Sequence, residues 1–181
     1  MEMGQRLKSG NTCTVQQIEW TGREMVLKRY NTKSVFYRIR HRLNMSRAMR
    51  SWSNGIVMNQ LDIPTVAPLA VVEKSKYGLL ERAYFLMEHF EGEGVSDYFN
   101  RKEDDEIEFE RVVSSLFQLF SCLRQLRIVH GDFKAKNILI SESSLRLIDT
   151  DGARFLVNRR QFAKRFQSDF KRFLENWPDG N

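Results

Sequence analysis

The hydrophobic period of this chain changes at one place, the stretch EGEG at positions 91–94. Before it, apolar residues sit in short runs, several alternating with polar ones, bounded by turn signals. After it, they recur every three or four positions from Glu103 to Leu126. The first pattern belongs to half-buried strands and the second to an amphipathic helix. A chain that runs through strands and then helices folds as α+β rather than as alternating βαβ units.

The first part resolves further. LKSGNTCTVQQIEW folds back at Ser9-Gly10-Asn11, and TGR turns it again into EMVLKRY, so two hairpins of an antiparallel sheet come first. MSRAMRSWSNGIVMNQL places Met45, Met49, Trp52, Ile56 and Val57 at helical spacing, and Pro64 stops it. VAPLAVVEK and RAYFLMEHF read as two more strands joined at SKYG. In the second part the long helix carries Phe109, Val112, Val113, Leu116, Phe120 and Leu123 on one stripe, with an acidic start and a basic end that suit its dipole. Two short strands, KNILI and LRLID, follow, then a last helix from Arg159 to Trp177. The expected organisation is a β-rich lobe with one helix over 1–88 and a mainly helical lobe over 89–181, one domain in all.

Charge is unevenly placed. Lys28 to Arg50 holds eight Lys or Arg and no Asp or Glu, leaving 21 basic against 23 acidic residues elsewhere. That segment is a candidate anion-facing surface. It lacks the signature of any nucleic-acid module, so no nucleic-acid partner is expected. No apolar segment follows the start of the chain, so no signal peptide is expected, and IPTVAPLAVV is too short and proline-broken to span a bilayer. Cys13 and Cys122, far apart, are expected to be reduced and packed as small hydrophobes.

The chemistry concentrates in IVHGDFKAKNILI, residues 128–140. An acid between two apolar runs costs stability unless it is paired or used. Asp132, Lys134 and Asn137, with Asp149 a dozen residues later at a strand end, supply what metal-assisted phosphoryl transfer needs. Asp132 would receive a hydroxyl proton and Lys134 would neutralise the moving phosphoryl group. The Asn137 amide oxygen and the Asp149 carboxylate would hold Mg²⁺, which prefers oxygen ligands. Asp151 competes with Asp149 for the last role, but Asp149 directly follows the apolar pair Leu147-Ile148. His130 reads as structural and Lys136 as solvated.

These residues resemble the catalytic loop of protein-kinase-like enzymes, with His-Gly-Asp in place of His-Arg-Asp and LIDTDG in place of the Asp-Phe-Gly segment. MVLK resembles the strand whose lysine grips the nucleotide phosphates, which places that role on Lys28. FLMEHFEG resembles the hinge whose backbone, at Glu88 and Phe90, would bond adenine. LKRYN, SRAMRSW, DIPTVAPLA, HGDFKAKN, LIDTDGAR and DFKRFLENW together look most like the bacterial lipopolysaccharide core kinases. The resemblance implies a two-lobed kinase-like fold, with ATP in the cleft between the lobes and ATP and Mg²⁺ as cofactors. It also implies a heptose or Kdo hydroxyl of lipopolysaccharide core as acceptor. The expected location is the cytoplasm near the inner membrane, which the basic segment 28–50 would contact peripherally.

Three departures shape the expectations. Only 32 residues follow Asp149, with no Ala-Pro-Glu element, so the second lobe is reduced and a carbohydrate or small acceptor fits better than a peptide. The expected phosphate loop, Ser9-Gly10-Asn11-Thr12, has one glycine where such loops carry several. Lys28 to Val72 contains no Glu, so the usual partner of the phosphate-gripping lysine is absent and Ser51 stands near its place. Two alternatives therefore stay open: an inactive pseudokinase acting as a binding module, and a kinase of another small molecule or of protein.

Overall fold

Alternation from Arg6 to Glu88 produces one antiparallel sheet, in the order β1-β2-β3-β5-β4. Its strands are β1 (Arg6–Ser9), β2 (Cys13–Trp20), β3 (Arg23–Tyr30), β4 (Pro68–Lys76) and β5 (Leu79–Glu88). Two of its turns are two-residue hairpins. Thr21-Gly22 and Tyr77-Gly78 all take positive φ, between 51° and 72°, the twist that matches two right-twisted strands. The computed structural model describes residues 6–10, 13–31, 45–101, 106–141 and 144–175.

The chain divides into two units: Met1–Val57 with Val66–His89, and Met58–Thr65 with Phe90–Asn181. The sequence reading put all of 1–88 in the first lobe, whereas Met58–Thr65 groups with the second unit. Its backbone explains this: Leu147 N–H donates to Pro64 O at 2.7 Å, and Thr65 bridges Leu147.

Helix α1 (Arg47–Gln60) is capped by Ser46, whose Oγ accepts the Met49 N–H at 3.0 Å. Its buried residues are Ala48, Ser51, Gly55 and Met58, not the expected stripe. Met45 is exposed and so is Val57. The reason is distance: a Cβ on Gly55 would lie 3.3 Å from Pro68 Cγ, so the helix approaches too closely for large side chains at that point.

In the second unit β6 (Glu93–Gly94), β8 (Ile138–Ser141) and β9 (Ser144–Leu147) form one small sheet, in the order β6-β8-β9. A second pairs β7 (Ile128–Val129) with β10 (Arg154–Phe155). Three helices accompany them: α2 (Val95–Asn100), α3 (Glu106–Gln125) and α4 (Arg159–Glu175). The buried stripe of α3 is Val112, Leu116, Leu119 and Leu123. Phe109, expected within it, is exposed. The stripe packs on Phe133, Ile138, Ile140, Leu145 and Leu147 in one core, where each fully buried Leu or Ile contributes about 1.5–3 kcal/mol. The expected helix starts at 103–105 and ends at 176–177 lie outside the described residues. Asn158 caps α4 through the Arg160 and Gln161 N–H groups. Among the described residues, no helix is long and apolar enough to cross a membrane.

Candidate active site

The loop after β7 alternates between anchors and presented groups. His130, Phe133, Ala135 and Asn137 are buried, while Gly131, Asp132, Lys134 and Lys136 keep contact with solvent. Phe133 holds the loop down: its ring centroid lies 4.9 Å from that of Phe120 on α3 and 5.7 Å from that of Phe173 on α4. Apolar burial at one residue therefore fixes the polar residues on either side.

Lys134 Nζ pairs with Asp132 Oδ1 at 2.9 Å. Asn137 Nδ2 donates to the Asp132 carbonyl at 2.8 Å and to Asp132 Oδ2 at 3.3 Å. These bonds fix the amide orientation and leave Asn137 Oδ1, a hard donor, outside them. Ile148 N–H donates to Asn137 O at 3.0 Å, which ties Asp149 to the same loop one residue on. Asp149 takes φ 65° and ψ 44°. Among the described residues, the other non-glycine ones with positive φ are Thr21, Asp62, Tyr77 and Arg127; each lies in a hairpin turn or just after a helix end. Asp149 lies two residues past the end of β9 and takes this left-handed backbone where it opens the 3-10 turn Thr150–Gly152. Asp151 lies in the 3-10 turn Thr150–Gly152 that Asp149 opens.

A magnesium ion fits this donor set. Among the described residues there is no group of three or more His, Cys, Asp or Glu that could hold a metal. Mg²⁺, however, takes one or two protein oxygens and completes its shell with phosphate oxygens and water.

Two residues that the sequence reading left without a role hold the loop from α4. Asp169, buried, accepts the Gly131 N–H on Oδ2 at 2.9 Å. Arg172 donates to the Gly131 carbonyl at 2.7 Å, reaches Asp169 Oδ1 at 3.5 Å, and its Nε lies 3.9 Å from Asp132 Oδ1. An acidic residue on the buried side of a helix was the available signal. Gly131 itself packs on Gly152: φ is 83°, and a Cβ there would lie 2.5 Å from the Gly152 carbonyl oxygen.

His130 is structural. Its Nε2–H donates to Ile148 O at 2.9 Å, and Nδ1 is buried without a partner among the described residues. Burial lowers its pKa below the usual value, outweighing the pull of the Ile148 carbonyl and of Asp169, Asp149 and Asp132. A depressed pKa stabilises the fold above the unfolded value, about 6.5, and this stability is lost as pH falls from there toward the folded pKa. Urea unfolding between about pH 7.5 and 5.5 is expected to show a falling midpoint that His130→Gln flattens. A flat wild-type profile would contradict this.

In the first unit, Lys28 is buried on β3, with Nζ 5.2 Å from the Tyr30 ring centroid. Tyr30 shares a 2.8 Å hydrogen bond with the buried Ser51 hydroxyl. Tyr30 thus lies beside the lysine and is itself held by Ser51 of α1. Ser9 ends β1, and Gly10 N–H donates to Cys13 O at 3.0 Å; Asn11 and Thr12 lie outside the described residues. Glu88 N–H donates to Ala67 O at 2.9 Å and is therefore already engaged within the first unit. Phe90 stacks under the Arg146 guanidinium, 5.6 Å from its ring centroid. Of the basic segment, 32–44 lies outside the described residues.

Comparisons with known proteins give a family match and a likeness of fold. The Protein kinase domain family matches residues 1–171. A probable serine/threonine-protein kinase, YbdM of Bacillus subtilis (strain 168), is 29% identical over 93 residues, 49% of this chain and 36% of that protein. The dual specificity protein kinase zakA of Dictyostelium discoideum is 30% identical over 83 residues, 44% of this chain and 10% of that protein. The chain thus spans a minor part of these curated relatives. Among solved structures, WaaP in complex with acyl carrier protein superposes with a TM-score of 0.68 over 97% of this chain and 71% of that one, at 13% identity, a likeness of fold.

Proposed function

The chain belongs to the protein kinase domain family, and on that premise we propose that it transfers the terminal phosphoryl group of ATP to an acceptor hydroxyl. The observation that carries this reading is the Asp132–Lys134–Asn137 arrangement on a loop anchored by Phe133. Asp132 is the proton acceptor. Its Oδ1 faces Lys134, whereas Oδ2 meets Asn137 only through a long bond, and a carboxylate oxygen retains a lone pair for a second donor. Lys134, steadied by Asp132, presents positive charge to the moving group. Asn137 Oδ1 and the Asp149 carboxylate would hold magnesium, which when bound would offset charge on the phosphates. For Lys28, buried on β3 of the first unit, the sequence resemblance supports a phosphate-gripping role. Little covalent chemistry is left to the protein, so positioning and charge carry the rate.

For the acceptor we propose a sugar hydroxyl, heptose or Kdo of lipopolysaccharide core, at the cytoplasmic face of the inner membrane. The supporting point is the sequence resemblance. A second reading, a binding module without turnover, draws on the lack of any Glu from Lys28 to Val72. Calorimetric titration with ATP, with and without Mg²⁺, separates the two on wild type and Asp149→Asn. Magnesium-dependent binding that Asp149→Asn weakens at least about tenfold is expected. No magnesium-dependent binding by the wild type would overturn the phosphotransferase reading.

A further inference from the structure

Beside Asp132 lies a second feature that phosphoryl transfer as such does not use. A cavity of about 280 Å³ opens against the catalytic loop, walled on one side by the bare backbones of Gly131 and Gly152. Arg165, Ser168, Asp169 and Arg172 of α4 line it, and their spacing (i, i+3, i+4, i+7) puts them on one helix face. Arg154 of β10 completes it. Three arginines and one aspartate therefore line the pocket, and the Asp169 carboxylate already receives the Gly131 N–H and pairs with Arg172. Arg154 and Arg165 are exposed and have no carboxylate partner among the described residues.

We propose that this pocket binds a phosphate monoester carried by the acceptor, and so selects acceptors that are already phosphorylated; the proposal rests on the kinase reading above. Arginines from β10 and α4 lining one pocket suit the oxygens of a tetrahedral dianion, to which a planar guanidinium fork can donate two parallel bonds. The net positive lining of the pocket favours such a group over a neutral sugar edge. The location gives it consequence. Arg172 lines the pocket while its Nε lies 3.9 Å from Asp132 Oδ1. An anion seated at Arg154 and Arg165 would hold the rest of its molecule next to the proton acceptor.

The test is an NMR titration of the labelled chain at constant ionic strength, with the nucleotide site saturated by magnesium and a non-hydrolysable ATP analogue. Glucose 6-phosphate, glucose and inorganic phosphate are the probes, on wild type and on the double variant R154Q/R165Q. The expected result is saturable shifts at the Gly131 amide and the Arg154 and Arg165 side chains with glucose 6-phosphate, none with glucose, and affinity weakened at least about tenfold in the variant. Both substitutions are on exposed side chains, and an unchanged amide spectrum in the absence of probe verifies the fold. No saturable shift with glucose 6-phosphate, or equal affinity in the variant, would overturn the proposal. Inorganic phosphate binding as tightly as glucose 6-phosphate would make the occupant a free ion and also overturn it. Binding of the nucleotide analogue is recorded first on the same samples. Its absence counts against the kinase reading alone, because the anion titration has its own readout.

Discussion

Asp132→Asn is expected to lower phosphoryl transfer by about 10²- to 10⁴-fold, the range for removing a positioned general base. Asparagine keeps the shape, its one side-chain oxygen can still accept from Lys134, and Asn137 keeps its bond to the backbone carbonyl of residue 132, so the loop remains folded. What it lacks is a basic oxygen to receive the hydroxyl proton and the charge that steadies Lys134 at 2.9 Å. ATP affinity is expected to change little, since the metal is assigned to Asn137 and Asp149. The measurement is ADP release with a core-oligosaccharide acceptor, paired with calorimetry for ATP. Turnover within a few-fold of wild type would remove Asp132 from the chemistry.

Gly131→Ala is expected to be the most damaging single methyl group in the second unit. Two costs add. Alanine at φ 83° pays for a left-handed backbone, about 1–2 kcal/mol. Its Cβ would also lie 2.5 Å from the Gly152 oxygen and 3.0 Å from the Gly152 carbonyl carbon. Backbone cannot rotate aside as a side chain can, so the His130–Asp132 turn must part from the Thr150–Gly152 turn. That adds about 1–3 kcal/mol, as overpacking does elsewhere, and moves Asp132 relative to Asp149. Gly78→Ala is the control: φ is 72°, but nothing lies within 4 Å of its Cβ, so only the conformational cost applies. Urea unfolding of both variants, with activity, decides the matter. Equal destabilisation of the two would mean that the Gly131–Gly152 contact is not constraining.

Much of the site was legible because its residues are close in sequence. Asp132, Lys134 and Asn137 fall within six positions, and the 3-10 turn Ala135–Asn137 and buried Phe133 set their mutual geometry locally. Asp149 was legible from the strand before it, though not its left-handed backbone. Burial faces were less legible. The large residues of α1 predicted its stripe, but close approach to Pro68 selected Gly55 and its small neighbours. Hydrophobicity orders residues by what they gain on burial and says nothing of the distance at which a helix docks.

The change of period at 91–94 determined the fold class, and HGDFKAKN with LIDTDG determined the chemistry on offer, because both are written in neighbouring residues. Only the tertiary structure decided what holds that chemistry in place. Asp169 and Arg172 reach Gly131 across about forty residues of sequence, and Ser51 meets Tyr30 across twenty-one. Such contacts depend on how helices pack against loops and strands, and no local pattern encodes the choice of partner.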